Sequence, residues 1–288
     1  MSKNISFLSW NVRGLGQTCR CDDVLAELLS SRPTIAALQE TKLPSLDLQK
    51  QRSFLPARLS CCVARDSAGA SGGILTAWDS SVCDLTASSA LPYSITTKFS
   101  LRADNMPFTL TNVYAPTLRE DKPAFLSELA SIAEMVDGAW MILGDFNLTR
   151  FAEDKNNDCF NASEANHFND LINSLGLIEI PLVDRAFTWS NRRDIPTLVR
   201  LDRCFVNLDW DGSFPNTILS SLTRFASDHV PLWASASTRV PRSCCFRFEN
   251  VWLLNRQFPP VIYAALARPT FGSGAKSFVR RLKHCRTT

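Results

Sequence analysis

Asp145 and Asn147 close the stretch Trp140-Met141-Ile142-Leu143-Gly144-Asp145-Phe146-Asn147, an apolar run of strand length stopped by a glycine. On an extended backbone, residues two apart point to the same side, so carboxylate and amide are expected together at the C-terminal end of a buried strand. Asp145 offers an acceptor to a metal-bound or nucleophilic water, Asn147 offers a donor and an acceptor, and Gly144 lets backbone or substrate come close. Alone, the tetrapeptide is equally a strand followed by an Asx turn. Other runs also deliver polar groups at their ends. Asn11 lies at the end of run 5–12 and Glu40 follows run 34–39. Tyr114 follows run 108–113, as a plug at the strand end or as a site residue. Asp202 falls inside run 198–206, where an unpaired carboxylate is costly if buried. Asp228-His229 precedes run 230–234; the imidazole needs a second acid to orient it, and Asp202 is the candidate.

These types suit hydrolysis of a phosphate ester. In-line attack on a phosphodiester needs an oxygen-ligated hard cation, a positioned water and donors for the non-bridging oxygens. Glu40, Asp145, Asn147, Asp228 and the Asp202–His229 pair supply those groups. A serine nucleophile worked by His229 and Asp202 is not expected. The loop Arg13-Gly14-Leu15-Gly16 has neither the GxGxxG nor the GxxxxGK spacing of a phosphate-binding loop.

Alternating strands and helices would hold these groups. Asp22 is expected to cap a helix that turns Val24, Leu25, Leu28 and Leu29 inward, with Pro33 at its exit. Runs 60–64, 73–78, 82–87 and 93–99, separated by Ser, Gly and Asp, read as an antiparallel meander. Asp121 opens a helix with Pro123 in its first turn and a stripe through Phe125, Leu129 and Ile132. After a polar loop over 150–161, Ser163 is expected to cap a helix with Ala165, Phe168 and Ile172 inward, Gly176 as its stop and His167 on its solvated face. Runs 186–190 and 198–206 pair as a hairpin across a short, basic tip, Asn191-Arg192-Arg193-Asp194-Ile195-Pro196.

With 288 residues and 45% hydrophobic composition, the chain can bury a sizeable core. No apolar run approaches a membrane span and no signal-peptide pattern opens the sequence, so a soluble protein that stays inside the cell is expected. The ten cysteines lack CxxC spacing, which points to neither a zinc site nor a disulfide framework. The net charge of +3 hides an asymmetry: residues 239–288 hold ten Lys or Arg against Glu249 alone, leaving 21 bases and 27 acids before them. An acidic body of that kind does not grip a polyanion by bulk charge, so phosphate chemistry there needs a cation and local basic groups. The composition break puts the domain boundary at 239, giving 1–238 and a basic connector or truncated tail, 239–288.

Trp10-Asn11-Val12-Arg13-Gly14, Gln39-Glu40-Thr41, Asn112-Val113-Tyr114-Ala115-Pro116, Gly144-Asp145-Phe146-Asn147, Arg200-Leu201-Asp202 and Ser227-Asp228-His229 occur in that order. Together they resemble the endonuclease/exonuclease/phosphatase superfamily. Phe187-Thr188-Trp189-Ser190-Asn191-Arg192, Asp154-Lys155 and Phe246-Arg247-Phe248-Glu249-Asn250-Val251-Trp252 are similar to plant-type LINE (non-LTR) retrotransposon polyproteins, in which a connector and a reverse transcriptase follow the endonuclease.

The resemblance implies an α/β fold of DNase I type, a four-layer sandwich with two central mixed β-sheets. It implies a Mg²⁺-dependent endonuclease, with Mn²⁺ as a substitute, that nicks target DNA to leave a 3′-hydroxyl for retrotransposition. By residue, it implies Glu40 and Asp228 as metal ligands, Asn11 as their support, and Asp145 and Asn147 positioning the attacking water. Asp202 would orient His229, and Tyr114 would reach the phosphate. Asp145 and His229 remain alternatives for the general base. Lys155, Thr188, Asn191, Arg192 and Arg193 are expected to contact DNA. The implied setting is the nucleus, with a reverse transcriptase region in a longer parent chain as partner and no membrane. A phosphomonoesterase or phospholipid diesterase of the same fold, and a decayed copy that only binds nucleic acid, are the alternatives.

Overall fold

The first strand is buried on both faces: Ile5 and Phe7 enter one core, and Leu8 and Trp10 enter another. A strand covered on both sides shows no clean alternation of apolar and polar residues. It belongs to a computed structural model that describes residues 4–68, 71–223, 226–239 and 258–267. In chain order the elements are β1 (Asn4–Asn11), α1 (Thr18–Ser31), β2 (Ile35–Gln39), α2 (Leu48–Phe54), β3 (Cys61–Ala68), β4 (Ser71–Trp78), β5 (Cys83–Leu91), β6 (Ser94–Leu101), β7 (Met106–Tyr114), α3 (Lys122–Met135), β8 (Trp140–Asp145), α4 (Ala162–Ser174), β9 (Ile178–Glu179), β10 (Trp189–Ser190), β11 (Leu198–Val199), β12 (Asp202–Val206), α5 (Leu208–Ser213), β13 (Asn216–Ser221), β14 (Leu232–Ser237) and α6 (Phe258–Ala267).

Two six-stranded sheets result, ordered β13-β14-β1-β2-β4-β3 and β5-β6-β7-β8-β12-β9. Each is mixed, because β1 runs parallel to β2 and β7 parallel to β8 while their other neighbours run antiparallel. One apolar core joins residues of both sheets, among them Phe7, Phe108, Met141, Leu143 and Trp210. A second packs Val24 and Leu28 of α1 and Phe54 of α2 against β1. A third packs Phe125 and Leu129 of α3 and Phe168 and Ile172 of α4 against β8. Helix, sheet, sheet, helix is the four-layer α/β architecture expected, and each fully buried aromatic contributes about 1.5–3 kcal/mol. Among the described residues, no helix is long and apolar enough to cross a membrane.

The sheets divide the expected meander. β3 pairs with β4 in one sheet, while β5, β6 and β7 pair in the other. Local alternation marks each strand but not which sheet it joins. Two caps also differ. α1 starts at Thr18 after Gln17, which leaves Asp22 inside the helix; Cys21 joins Val24 and Leu28 on the buried face, so the helix must begin before it, and Leu29 is exposed. α4 is capped by Asn161, whose side chain accepts from the backbone N–H of Glu164, and Ser163 is the second residue of the helix.

The expected hairpin is broken in two. β10 and β11 form a two-residue ribbon across the basic tip, and the chain then leaves it so that β12 can pair with β8 and β9. Thr188 makes the break, its Oγ1 accepting from the backbone N–H groups of Leu201 and Asp202 at 3.0 Å each.

Residues 1–240 and 241–288 form two compact units. In the second, the described element is α6. The tail motif Phe246 to Trp252, and most of the basic charge expected there, lie outside the described residues.

Candidate active site

Register brings the polar residues together. Tyr114 of β7 pairs with Asp145 of β8, which in turn pairs with Asp202 of β12, so three strands end in one row. In the other sheet Asn11 pairs with Gln39, the residue before Glu40. Asn11 Nδ2 crosses between the sheets to Asp145 Oδ2 at 2.9 Å. Gly144 permits the row. Its φ is +142°, and a Cβ there would collide with the Val113 carbonyl oxygen on β7. The close approach foreseen at this glycine is therefore by backbone.

Asn147 reaches the site by a turn. The strand ends at Asp145, Asn147 takes φ +46°, and its N–H donates to Asp145 Oδ1 at 3.1 Å, an Asx turn. Its Nδ2 donates to the Ala115 carbonyl at 2.8 Å and lies 3.4 Å from Asp145 Oδ2. Turn and site residue thus coincide here.

His229 is buried between two acids. Its Nδ1 donates to Asp202 Oδ2 at 2.8 Å, which leaves Nε2 facing Asp145 Oδ2 at 3.6 Å, beyond a hydrogen bond. Ser227 fixes the segment, its Oγ donating to the Asn11 carbonyl at 2.7 Å and accepting from His229 N–H at 3.2 Å. Burial opposes the charged imidazole, but Asp202 and Asp145 outweigh it and push its pKa up to about 9. Burial pushes Asp145 up to about 6, with the imidazole pulling the other way. Near neutral pH these values leave Asp145 ionised and the His229 imidazole charged.

Glu40 stands beside this row. Its backbone is left-handed at φ +53°, it pairs with Lys42 Nζ at 2.9 Å, and the Tyr114 hydroxyl donates to it. Burial, then the Glu40 and Asp145 carboxylates, raise the Tyr114 pKa, so the phenol keeps its proton. Asp228 is engaged differently from the metal ligand expected. Its Oδ2 accepts from Trp189 Nε1 at 2.8 Å and pairs with the Arg13 guanidinium. Ligand atoms of Asp145, Asp202 and His229 lie within 4.8 Å of one another, a group that could hold a metal ion. Glu40 is not one of that group, but its carboxylate also offers oxygen donors, the type that suits a hard divalent cation.

A model of the Endonuclease/Exonuclease/phosphatase family matches residues 8–229, spanning every group just described. The chain belongs to that family. Over 273 residues it is 27% identical to a Xenopus laevis protein described as the transposon TX1 uncharacterized 149 kDa protein, covering 88% of this chain and 20% of that one. The chain thus spans about a fifth of the length of this relative. Among solved structures, the AP endonuclease LMAP from Leishmania major superimposes with a TM-score of 0.67 at 18% identity, over 83% of this chain and 89% of that one. The endonuclease domain of TRAS1, a telomere-specific non-LTR retrotransposon, does so with a TM-score of 0.62 at 14% identity, over 81% and 98%. At such identity these likenesses establish the fold.

On this endonuclease/exonuclease/phosphatase scaffold a groove of about 430 Å³ opens beside Asn147, lined by Trp189, Lys155, Arg193 and Lys122. Of the expected DNA contacts, Lys155 and Arg193 therefore face it directly. Asn191 also lines it, but its Oδ1 closes the tip by accepting from Thr197 N–H at 3.0 Å. Arg192 turns back to the Ser227 carbonyl. Thr188 is fully buried and holds Asp202 in place, so it is a positioning residue and not a DNA contact. Lys155 Nζ donates to the Cys159 carbonyl at 2.7 Å, and the preceding Asp154 is buried, accepts from Arg150 N–H at 2.6 Å and pairs with Arg203.

Arg13, Lys42, Trp189 and Lys122 had no role assigned in the sequence. For Arg13 a signal was present: it lies between a strand end and Gly14, where a left-handed turn is common, and its φ is +52°. The serine alternative is excluded by place. Gly69-Ala70-Ser71-Gly72-Gly73 does carry a Gly-x-Ser-x-Gly spacing, but Ser71 opens β4 opposite Ala68 of β3, where a nucleophile elbow requires a strand followed by a helix.

Proposed function

We propose that this chain is a divalent-metal-dependent DNA endonuclease that nicks one strand and leaves a 3′-hydroxyl, working as the endonuclease part of a longer non-LTR retrotransposon protein. The observation that carries this reading is the buried row Asp145–His229–Asp202, with Asn147 beside it lining a groove that also bears Trp189, Lys155 and Arg193. A water at Asp145 gives up its proton as its oxygen bonds to phosphorus. The P–O3′ bond breaks, and the leaving oxygen takes up a proton in turn. Asn147 orients the water, while His229, charged and held by Asp202, donates to a non-bridging oxygen. Tyr114, kept protonated, is a second donor. Mg²⁺ or Mn²⁺ held at Glu40 would neutralise charge developing on the phosphate. Lys155 and Arg193 hold the strand leading into the site through its phosphates, and Trp189 offers a face for a base or sugar.

The relatives support the setting, since one is described as a transposon protein of 149 kDa and another as the endonuclease domain of a non-LTR retrotransposon. A parent chain with a reverse transcriptase region, acting in the nucleus, accords with both. Incubation of supercoiled plasmid with the protein, with Mg²⁺ or with a chelator, tests the reading. Expected are nicked circles only with the ion, whose nicks a polymerase extends without phosphatase treatment. Plasmid binding with no nicks, from folded protein, would leave a non-catalytic nucleic-acid module. Release of phosphate from 3′-phosphorylated ends without nicking would point to a phosphomonoesterase.

A further inference from the structure

Asp228 is committed to the protein. It is 5% exposed, and its Oδ2 takes two donors, Trp189 Nε1 at 2.8 Å and the Arg13 guanidinium. A carboxylate oxygen that ligates Mg²⁺ gives it a lone pair at about 2.0–2.1 Å, so two donors and an ion compete for one oxygen. The other oxygen lies 3.4 Å from Ser227 Oγ.

Arg13 is built into its place. Its backbone N–H donates to Asn11 Oδ1 at 3.1 Å, the following Gly14 N–H donates to the Glu40 carbonyl at 2.7 Å, and its φ of +52° bends the chain toward the site. Its side chain stays 49% exposed, so the guanidinium spans the buried acid and the open face. Four carboxylates meet at these strand ends, Glu40, Asp145, Asp202 and Asp228, and two permanent cations of the chain stand among them, Arg13 and Lys42. With His229 charged as well, the fixed charge there is one negative, which one divalent ion already offsets and a second would carry well past neutrality.

We propose that the Arg13 guanidinium is a built-in cation that occupies the Asp228 side of the site, so that the site takes one divalent ion, on the Glu40 side, and not two. Arg13 then does permanently what a second ion would do in exchange with solvent. This rests on the metal-dependent reading above.

The test is a count of bound ions. Mn²⁺ is titrated into the intact chain without DNA, and free Mn²⁺ is followed by electron paramagnetic resonance, for the wild type, Arg13→Ala, Arg13→Lys and Glu40→Gln. Thermal melts of each confirm that it is folded. One ion per wild-type chain, two for Arg13→Ala, one for Arg13→Lys and none for Glu40→Gln is the expected pattern. Two ions in the wild type, or one in Arg13→Ala, overturns the role of Arg13 while leaving metal dependence standing. No ion in any protein overturns the metal reading and this inference with it. If Arg13→Ala fails to fold, Arg13→Gln, which keeps the side-chain stem and removes the charge, is counted in its place with the same two-ion expectation.

Discussion

Asp145 and Asp202 are register partners across the antiparallel pair β8 and β12, two buried carboxylates side by side with one imidazole, His229, in contact with both. Like charges opposite each other in a ladder are destabilising, and burial sharpens the cost. His229 therefore stabilises the strand pair as well as serving the site.

Removing it separates the two roles. His229→Ala should slow nicking by roughly 10²- to 10⁴-fold and lower stability at neutral pH by about 3–5 kcal/mol, because two buried carboxylates lose their counter-charge. The stability of this variant should recover as pH falls and one carboxylate takes up a proton. Denaturant unfolding at pH 5 and pH 7.5 measures this, and a deficit equal at both would show that the acids do not feel each other. Asp202→Asn should also slow nicking, and the double variant by less than the product, since the two groups act as a unit.

The pH–rate profile should be a bell. Asp145 must be ionised to take the proton, so activity falls as pH drops through about 6, and His229 must be charged to donate, so activity falls as pH rises through about 9. For stability, the folded pKa of His229 lies above its ordinary value of 6.5, so its contribution is complete below 6.5 and is lost as pH rises through about 9. Single-turnover nicking rates from pH 5 to 10 check the profile; a rate that is flat through pH 6 would remove Asp145 as the base.

Glu40→Ala should abolish metal-dependent nicking and leave the fold intact, because Glu40 follows a strand and packs no core. The contribution of such an ion to the barrier is on the order of several kcal/mol. Nicking near the wild-type rate by a variant with an unchanged melting curve would take Glu40 out of the mechanism.

Gly144→Ala should cost about 3 kcal/mol or more, as the added methyl would meet the Val113 carbonyl and φ +142° is a region that side chains avoid. The row Tyr114–Asp145–Asp202 would be displaced together. Unfolding in urea measures the loss, and stability within 1 kcal/mol of the parent would mean that β7 can move aside at little cost.

Replacing residues 191–195 with a short neutral turn should redistribute nick positions while the metal requirement persists. The catalytic groups act on phosphate, which is alike at every step, whereas Arg193 at this tip lines the groove beside Asn147. Sequenced 3′ ends from a long duplex that match the parent's would show that the tip does not select the target.

The chemistry was legible because it is local. An apolar run ending in Gly144-Asp145 identifies a strand end, and a charged residue amid β-formers, as at Asp202, announces a partner elsewhere. Six such signals in order carried the family and the fold class, since a strand's end is written beside the strand. What the sequence could not express was which strands become neighbours. The opposition of Asp145 and Asp202, the division of β3 to β7 between two sheets and the breaking of the 186–206 hairpin are register choices, settled by packing across long separations. Thr188 shows the difference most plainly: next to a basic tip it looked like a DNA contact, and only the folded chain spends its hydroxyl on the backbone of Leu201 and Asp202. The pairing of Arg13 with Asp228 likewise spans 215 positions, and no spacing rule reaches that far; the two meet because β1 and the segment before β14 end on the same side of one sheet.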